Sequence, residues 1–406
     1  MARPLTKDTH LIFENNNEKL VEELPIENPV LTSTRSCQKQ LSDLVTLNVD
    51  AVRLAAVYIH NKMLAETYIP STWRSQPLHL NPPMPYQPEH SGTRQTLDWI
   101  FLVSSLNFSF WSEYEDGQRF GVEWKRSWES NDRHVWTGYW SLLAAINRAL
   151  DNKIPITDPS FYASSIRCPD ELIAQIFMPH KDSKEQIPLL VDRIRIMREV
   201  GQTLCANFEG SYQGLLRRFH EIYAGQGTAL QLVEMVVEFF PSFRDQTRLE
   251  SQTIFFWKRA QILVAETWAA FYPDPGLTTK HPFFPHGVHD LTMFADYRVP
   301  QILHHLQVIT YSPAVVAALE AGKLLPSGSR EEIAIRSASI LAVDAIRNEV
   351  VRLSLGGDRD VEALNSVMID FWLWEMAKRI ECGSENITDV STTTILSPHR
   401  TRSIWY

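Results

Sequence analysis

Asp296 is a lone carboxylate between apolar neighbours in Leu291-Thr292-Met293-Phe294-Ala295-Asp296-Tyr297-Arg298-Val299-Pro300-Gln301-Ile302-Leu303. One acid fixed in a water-poor setting can stabilise a developing positive charge, activate water or attack as a nucleophile. Leu291, Ala295, Arg298, Val299, Ile302 and Leu306 recur at helical spacing, yet Pro300 lacks an N–H and would leave the Asp296 carbonyl unbonded in a continuous helix. The spacing predicts one helix ending near Asp296 and another starting at about Val299, with the carboxylate facing a concavity at the junction. A helix cap or an ion pair with Arg298 is the bland alternative.

A second acid-bearing stretch is Asn365-Ser366-Val367-Met368-Ile369-Asp370-Phe371-Trp372-Leu373-Trp374-Glu375. Helical spacing puts Asp370 and Trp374 on one face and Phe371 and Glu375 on the next. An ionised carboxylate among such side chains needs a donor from the fold or from a ligand, unless it points outward from a core helix. Lys258 and Arg259, inside Phe255-Phe256-Trp257-Lys258-Arg259-Ala260-Gln261-Ile262-Leu263, pose a similar choice between holding an anion and snorkelling to the surface. Asp245, after Pro241, suits a helix cap or an arginine partner. The final Pro398 to Tyr406 stretch mixes Arg400 and Arg402 with aromatics, where disorder is the default expectation and a phosphate contact the sharper one.

Other combinations carry less. His281, His286, His289, His304 and His305 gather near Asp290, but their spacing matches no standard ligand set, so no metal is expected. Gly225-Gln226-Gly227 lacks the third glycine and the preceding strand of a dinucleotide fingerprint and reads as a turn. Cys37, Cys168, Cys205 and Cys382 form no Cys-x-x-Cys pair and are expected as free thiols.

The elements that must position these groups are mostly helices. Helical periodicity runs over residues 49–68, 139–150, 170–177, 187–206, 212–223, 229–239, 255–271, 312–323, 330–353 and 361–380. The apolar run Leu97 to Trp111 reads as a core helix, too short and too polar to span a bilayer. Phe120, Val122, Trp124 and Trp128 alternate with polar residues before a turn at Glu129 to Asp132, predicting one β-ribbon over about 119–137. Residues 1–40 read as a loose N-terminal arm, and 41–406 as one helical domain with loops at about 178–186, 272–289 and 382–397. The predicted class is a mainly α, single large globular unit with one small ribbon.

Bulk properties narrow the partners. At 406 residues and 44% hydrophobic content, the chain can bury a large core. Its net charge of -9, from 39 basic and 48 acidic residues, gives no field for a long nucleic-acid backbone, although a small anionic ligand is compatible with local cations. Met1 to Leu20 is polar where a secretion signal needs an apolar run, so the cytosol is the expected location, with the nucleus also open. Neither a membrane nor a cofactor is implied.

Several of these stretches, in the same order, resemble the queuosine salvage proteins, the queuosine 5′-phosphate N-glycosylases. They are Met293-Phe294-Ala295-Asp296-Tyr297-Arg298, the Asn365 to Glu375 segment, Leu106-Asn107-Phe108-Ser109-Phe110-Trp111, Gly138-Tyr139-Trp140-Ser141-Leu142, and Lys258-Arg259-Ala260-Gln261-Ile262-Leu263. The resemblance runs from about Asn48 to Tyr406 and includes His399-Arg400-x-Arg402. It implies an all-helical fold similar to helix-hairpin-helix DNA glycosylases and hydrolysis of the N-glycosidic bond of queuosine 5′-monophosphate; a monomer is expected. It also implies that Asp296 is catalytic and that His79, Phe294, Asp370, Phe371 and Glu375 contact substrate. Phe371 and Glu375 depart from the family's Tyr and Asp, which removes a hydroxyl and lengthens a carboxylate. Lys258, Arg400 and Arg402 are the candidates for further substrate or phosphate contacts.

The chemistry agrees with those residues. Cleaving an N-riboside builds positive charge on the sugar, and a 7-deazaguanine has no N7 to protonate, so stabilisation from the sugar side must do more. The base carries guanine N–H donors and a cationic side-chain amine, which Asp370 and Glu375 can meet as charge-assisted acceptors. Without the resemblance, two other readings stay open: a non-catalytic binding or scaffold protein, and a nucleosidase or glycosylase for another modified purine or for damaged DNA.

Overall fold

The computed structural model describes residues 27–114, 117–274, 280–354 and 364–406. The described residues are mainly helical, with three two-stranded antiparallel sheets among them. It opens with α1 (Pro29–Gln40), β1 (Val45–Leu47), α2 (Val49–Ala65) and α3 (Ser91–Ser105). Next come the hairpin β2 (Gly121–Lys125) and β3 (Arg133–Thr137), followed by α4 (Tyr139–Asp151), α5 (Pro159–Tyr162), α6 (Asp170–Ile176), α7 (Leu190–Asn207), α8 (Tyr212–Ile222) and α9 (Ala229–Phe239). A second hairpin, β4 (Gln246–Leu249) and β5 (Gln252–Phe255), leads into α10 (Lys258–Ala270). The chain closes with α11 (Arg298–His305), β6 (Ile309–Tyr311), α12 (Pro313–Glu320), α13 (Arg330–Ser354) and α14 (Ser366–Glu381).

The last third of the segment expected to be a loose arm, residues 27–40, is mostly helical. Asn28 accepts the Val30 N–H at 2.9 Å, and Pro29 sits where its missing N–H is harmless, so α1 starts cleanly. Its buried face, with Val30 and Cys37, packs on α13 and β5. The remainder of that arm, residues 1–26, and the expected helix start at 361–363 lie outside the described residues.

The single ribbon expected from alternation is present as β2 and β3, but two further pairs accompany it. β1 pairs with β6 across most of the chain, Val45 opposite Tyr311, in strands too short to show a period of two. β4 and β5 take up Phe255, which periodicity had put at the head of a helix; that helix starts at Lys258. Trp257 just before it adopts φ 48°, a left-handed kink that turns the strand into the helix.

The apolar run beginning at Leu97 is also not helical to its end. Beyond Ser105 the buried chain leaves the helix, and its carbonyls are taken by two buried guanidinium groups. Arg193 donates to Leu106 O and Phe108 O, each at 2.5 Å, while Arg259 donates to Ser105 O and Ser242 O. These bonds replace the helical ladder, as burial of a backbone carbonyl requires.

Two helices form the frame around which the rest packs. Every residue of α10 is buried, between α3, α9 and the short turn at Pro70–Ser75. α13 touches α1, α2, α11 and α14. The last residues, expected to be disordered, are inserted between these layers: Ser109 donates its N–H to Tyr406 O at 3.0 Å, and Trp111 donates its indole N–H to Thr401 O at 2.8 Å. No helix among the described residues is long and apolar enough to cross a membrane.

Candidate active site

A cavity of roughly 1060 Å³, its open mouth included, lies between α10, α14, the start of α4, the Pro70–Ser75 turn and the segment before α11. Its wall is largely aromatic, with Trp73, Phe110, Tyr139, Trp140, Phe294 and Trp374. That size and lining suit one flat, polar-edged small molecule.

Asp296 opens into this cavity and is 8% exposed. The segment leading to it is not the predicted helix. Leu291 to Ala295 belong to no helix or strand and are all buried, so apolar side chains recur at every spacing and mimic helical periodicity. Side chains from three helices satisfy the backbone of this segment: Gln261 Oε1 accepts Thr292 N–H at 2.9 Å, Asp370 Oδ1 accepts Phe294 N–H at 3.0 Å, and Arg336 Nε donates to Ala295 O at 3.0 Å.

The cap and the cavity-facing acid prove to be the same group. Asp296 Oδ1 accepts the N–H groups of Arg298 and Val299, both at 2.9 Å, and so caps α11, which starts at Arg298 with Pro300 in its first turn. Both bonds go to one oxygen, which fixes the carboxylate and leaves the other for the cavity. The alternative of an ion pair with Arg298 is not taken up; that guanidinium binds Glu381 at 2.7 Å. Burial pushes the Asp296 carboxyl up from its ordinary value, and the charge of Lys258 is the largest effect opposing this.

Lys258 is 5% exposed and lines the cavity, which rules out the snorkelling alternative. Its ammonium donates to Asn107 O at 3.2 Å. Burial lowers its pKa to about 8, with Asp296 acting in the opposite direction. Arg259, its neighbour, turns into the core instead. Asp245 fills both roles open to it: Oδ2 accepts the Lys258 N–H at 3.3 Å at the head of α10, and both oxygens grip Arg336 at 3.1 and 2.5 Å. Arg336 lies over Phe256 and Tyr406, 3.8 and 4.2 Å from their centroids. One buried ion pair thus supports both the start of α10 and the carbonyl that precedes Asp296.

On α14, Asp370, Phe371, Trp374 and Glu375 all line the cavity, so the two neighbouring helix faces are both turned inward. Asp370 is 4% exposed, and its carboxyl is pushed well up by burial and then by the Asp296 charge. Glu375 Oε1 accepts from Tyr68 Oη at 3.2 Å and Gln76 Nε2 at 3.0 Å, and burial raises its pKa too. Phe371 and Phe294 approach to 5.8 Å between centroids.

His79 closes the far wall, 4.0 Å from the Trp73 ring and near Trp99 and Trp140. Its Nδ1 lies 2.8 Å from Trp73 O, which can only accept, so Nδ1 carries the proton and Nε2 is an acceptor. Burial lowers its pKa to about 4, which keeps the ring neutral.

The arginines of the tail divide. Arg402 stacks on Trp111 at 3.5 Å and donates to Trp111 O at 3.2 Å, away from the cavity wall. Arg400 lines an adjoining cavity that shares Arg119, Tyr297 and Arg298 with the first. The histidines after residue 280 are dispersed: His281 meets Trp268 O, His304 stacks on Tyr311, and His305 meets Thr393 O.

Several lining residues were not singled out from sequence, chiefly Glu266, Tyr68, Arg119 and Lys378. Glu266 carried a legible signal, a lone acid in the apolar Ala265-Glu266-Thr267-Trp268 stretch, the same pattern that drew attention to Asp370. It also lies two helical turns after Lys258 on the same face.

A family model described as queuosine salvage protein matches residues 86–406. A protein of Schizosaccharomyces pombe named queuosine 5′-phosphate N-glycosylase/hydrolase is 42% identical over 78% of this chain and 85% of its own. Proteins of the same name from Mus musculus and Sphaerobacter thermophilus are 38% and 33% identical, covering 76% and 93% of this chain and 82% and 97% of theirs. A match over most of the chain, with the motifs around Asp296 and Asp370 placed on one cavity, makes this protein a member of the queuosine salvage protein family.

Proposed function

We propose that this cavity binds queuosine 5′-monophosphate and that the protein hydrolyses its N-glycosidic bond, releasing queuine for reuse in tRNA modification. The observation that carries the reading is the Asp296 carboxylate, with one oxygen pinned by two backbone N–H groups beside Lys258 and the other facing an aromatic cavity.

The bond between C1′ and the base nitrogen breaks with its electron pair leaving on the base. Positive charge grows on C1′ and the ring oxygen of the ribose. A carboxylate already held by its cap need not reorganise to meet that charge, and a poorly hydrated wall strengthens the attraction. Water then gives its hydroxyl to C1′ and a proton to the base, yielding ribose 5-phosphate and queuine.

The two neighbouring acids divide the labour. Lys258 and two N–H groups favour the ionised form of Asp296 against its burial, whereas burial and that anion push Asp370, with one N–H donor, toward the neutral form. A neutral Asp370 presents an O–H to the departing base, assistance that does not depend on N7. The guanine N–H groups are met by His79 Nε2 and Glu375, and the rings of Phe294 and Phe371 flank the base.

Lys258 holds the 5′-phosphate end, with Arg119 and Arg298 on the wall that continues toward Arg400. The substrate is the free nucleotide, taken up by a monomer in the cytosol. Incubating purified protein with queuosine 5′-monophosphate and separating the products by chromatography tests the reading. Free queuine and ribose 5-phosphate in equal amounts support it; intact nucleotide after many hours with folded protein refutes it.

A further inference from the structure

Glu266 has no part in these steps, yet it is 5% exposed and lines the same cavity. Its Oε1 accepts from Tyr139 Oη at 3.3 Å, while Oε2 is buried with no hydrogen-bond partner among the described residues. An unpaired buried carboxyl oxygen is costly and calls for a donor.

Position and surroundings say which donor. Lys258, Ile262 and Glu266 share one face of α10, and Glu266 lies about 12 Å along the axis from Lys258. Lys258 is at the Asp296 end. Glu266 is at the other, one turn before Ala270, whose carbonyl accepts from Arg74 of the turn that also carries Trp73. Tyr139, which donates to it, belongs to a cluster of three rings on the wall of the same cavity: Tyr139 is 5.2 Å from Trp140 and 5.8 Å from Trp374, and Trp140 is 5.7 Å from Trp374. A carboxylate joined to an aromatic cluster on one cavity wall makes a site for an ammonium group.

We infer that Glu266, with the rings of Tyr139, Trp140 and Trp374, binds the cationic amine on the side chain of the base and thereby selects amine-bearing 7-deazaguanines over those without it. The inference rests on the substrate reading above. The other cavity acids are less suited: Asp370 faces Asp296 and is tied to Phe294, and Glu375 already accepts from Tyr68 and Gln76. Burial raises the Glu266 carboxyl to about 8, as expected of an acid that lacks its cation.

The test measures calorimetric binding of two free bases, queuine and 7-deazaguanine, to wild type, Glu266→Gln and Glu266→Asp, with melting curves to verify folding. Wild type should prefer queuine by at least about tenfold, as a charge-assisted contact allows. Glu266→Gln should reduce that preference to within about threefold by weakening queuine alone, and Glu266→Asp, which keeps the charge, should retain part of it. Absence of a preference in wild type, an unchanged preference in Glu266→Gln, or equal weakening of both bases overturns the assignment. Turnover of queuosine 5′-monophosphate by wild type is followed in parallel. A protein that releases no queuine but loses its preference with Glu266→Gln would refute the hydrolase reading and keep the ammonium site; normal turnover with an unchanged preference would do the reverse.

Discussion

The backbone N–H of Phe294 donates to Asp370 Oδ1 at 3.0 Å, joining the non-helical segment before α11 to the inward face of α14. The two acid-bearing stretches are therefore one unit. The segment that carries Asp296 has no ladder of its own, and its register against the cavity is set by Asp370, Gln261 and Arg336 from three different helices.

That bond separates two roles of Asp370 by substitution. Asp370→Asn keeps an oxygen for Phe294, so chemical denaturation should shift by less than about 1 kcal/mol, while Asp370→Leu strands a buried N–H and should cost about 1–3 kcal/mol. Both should slow release of queuine, because neither presents a carboxyl O–H. Equal stability of the two variants would contradict the bond's role.

Asp296 invites a similar separation of cap from catalyst. An asparagine can still accept from Arg298 and Val299, so Asp296→Asn should melt close to wild type, whereas Asp296→Ala should lose about 1 kcal/mol with the cap. Activity should fall by at least about a hundredfold in both, since each removes the negative charge that faces the ribosyl cation. Near-normal turnover in the well-folded asparagine variant would exclude Asp296 from catalysis.

Much of this site was legible because chemistry and pattern conflicted at particular residues. Asp370 and Asp296 stood out as acids among apolar neighbours, and the Asn365 to Glu375 spacing placed four residues on two adjoining faces that do line the cavity. The segment around Asp296 departs from the helical reading for a physical reason: an irregular stretch buried on every side and bonded by side chains leaves apolar residues at every spacing. Periodicity could not anticipate that Arg193, Arg259 and Arg336 would substitute for backbone partners, since those bonds join residues far apart in sequence. The tail was misjudged likewise. Its aromatics and cations are spent on Trp111 and Arg336, contacts that only the tertiary fold creates.

Arg336 holds Asp245 and the Ala295 carbonyl together, so its loss should be felt twice. Arg336→Met leaves a buried carboxylate uncompensated and should cost about 3–5 kcal/mol in urea unfolding. Arg336→Lys keeps the charge without the two-pronged grip and should lose less stability. It should still lower kcat, because the carbonyl that precedes Asp296 is no longer fixed. A lysine variant with wild-type kcat would mean that the pair supports the fold alone.

If Lys258 holds the phosphate, Lys258→Met should raise KM for queuosine 5′-monophosphate by about tenfold or more while changing KM for the unphosphorylated nucleoside little. Equal effects on the two substrates would move the phosphate elsewhere, with Arg119 the next cation on the wall to test.

The same variant makes a directional claim about pH, best read with the nucleoside so that the phosphate does not titrate alongside. Asp296 must be ionised to act, so kcat/KM should fall as pH drops through its raised pKa. The Lys258 cation favours the ionised form; removing it takes away the largest effect opposing burial, so the Asp296 pKa rises further and the acid limb moves to higher pH. In wild type, deprotonation of Lys258 at about 8 withdraws the same support and should add an alkaline change that the methionine variant lacks. An acid limb that stays in place or moves to lower pH in Lys258→Met would show that the ammonium does not act on Asp296.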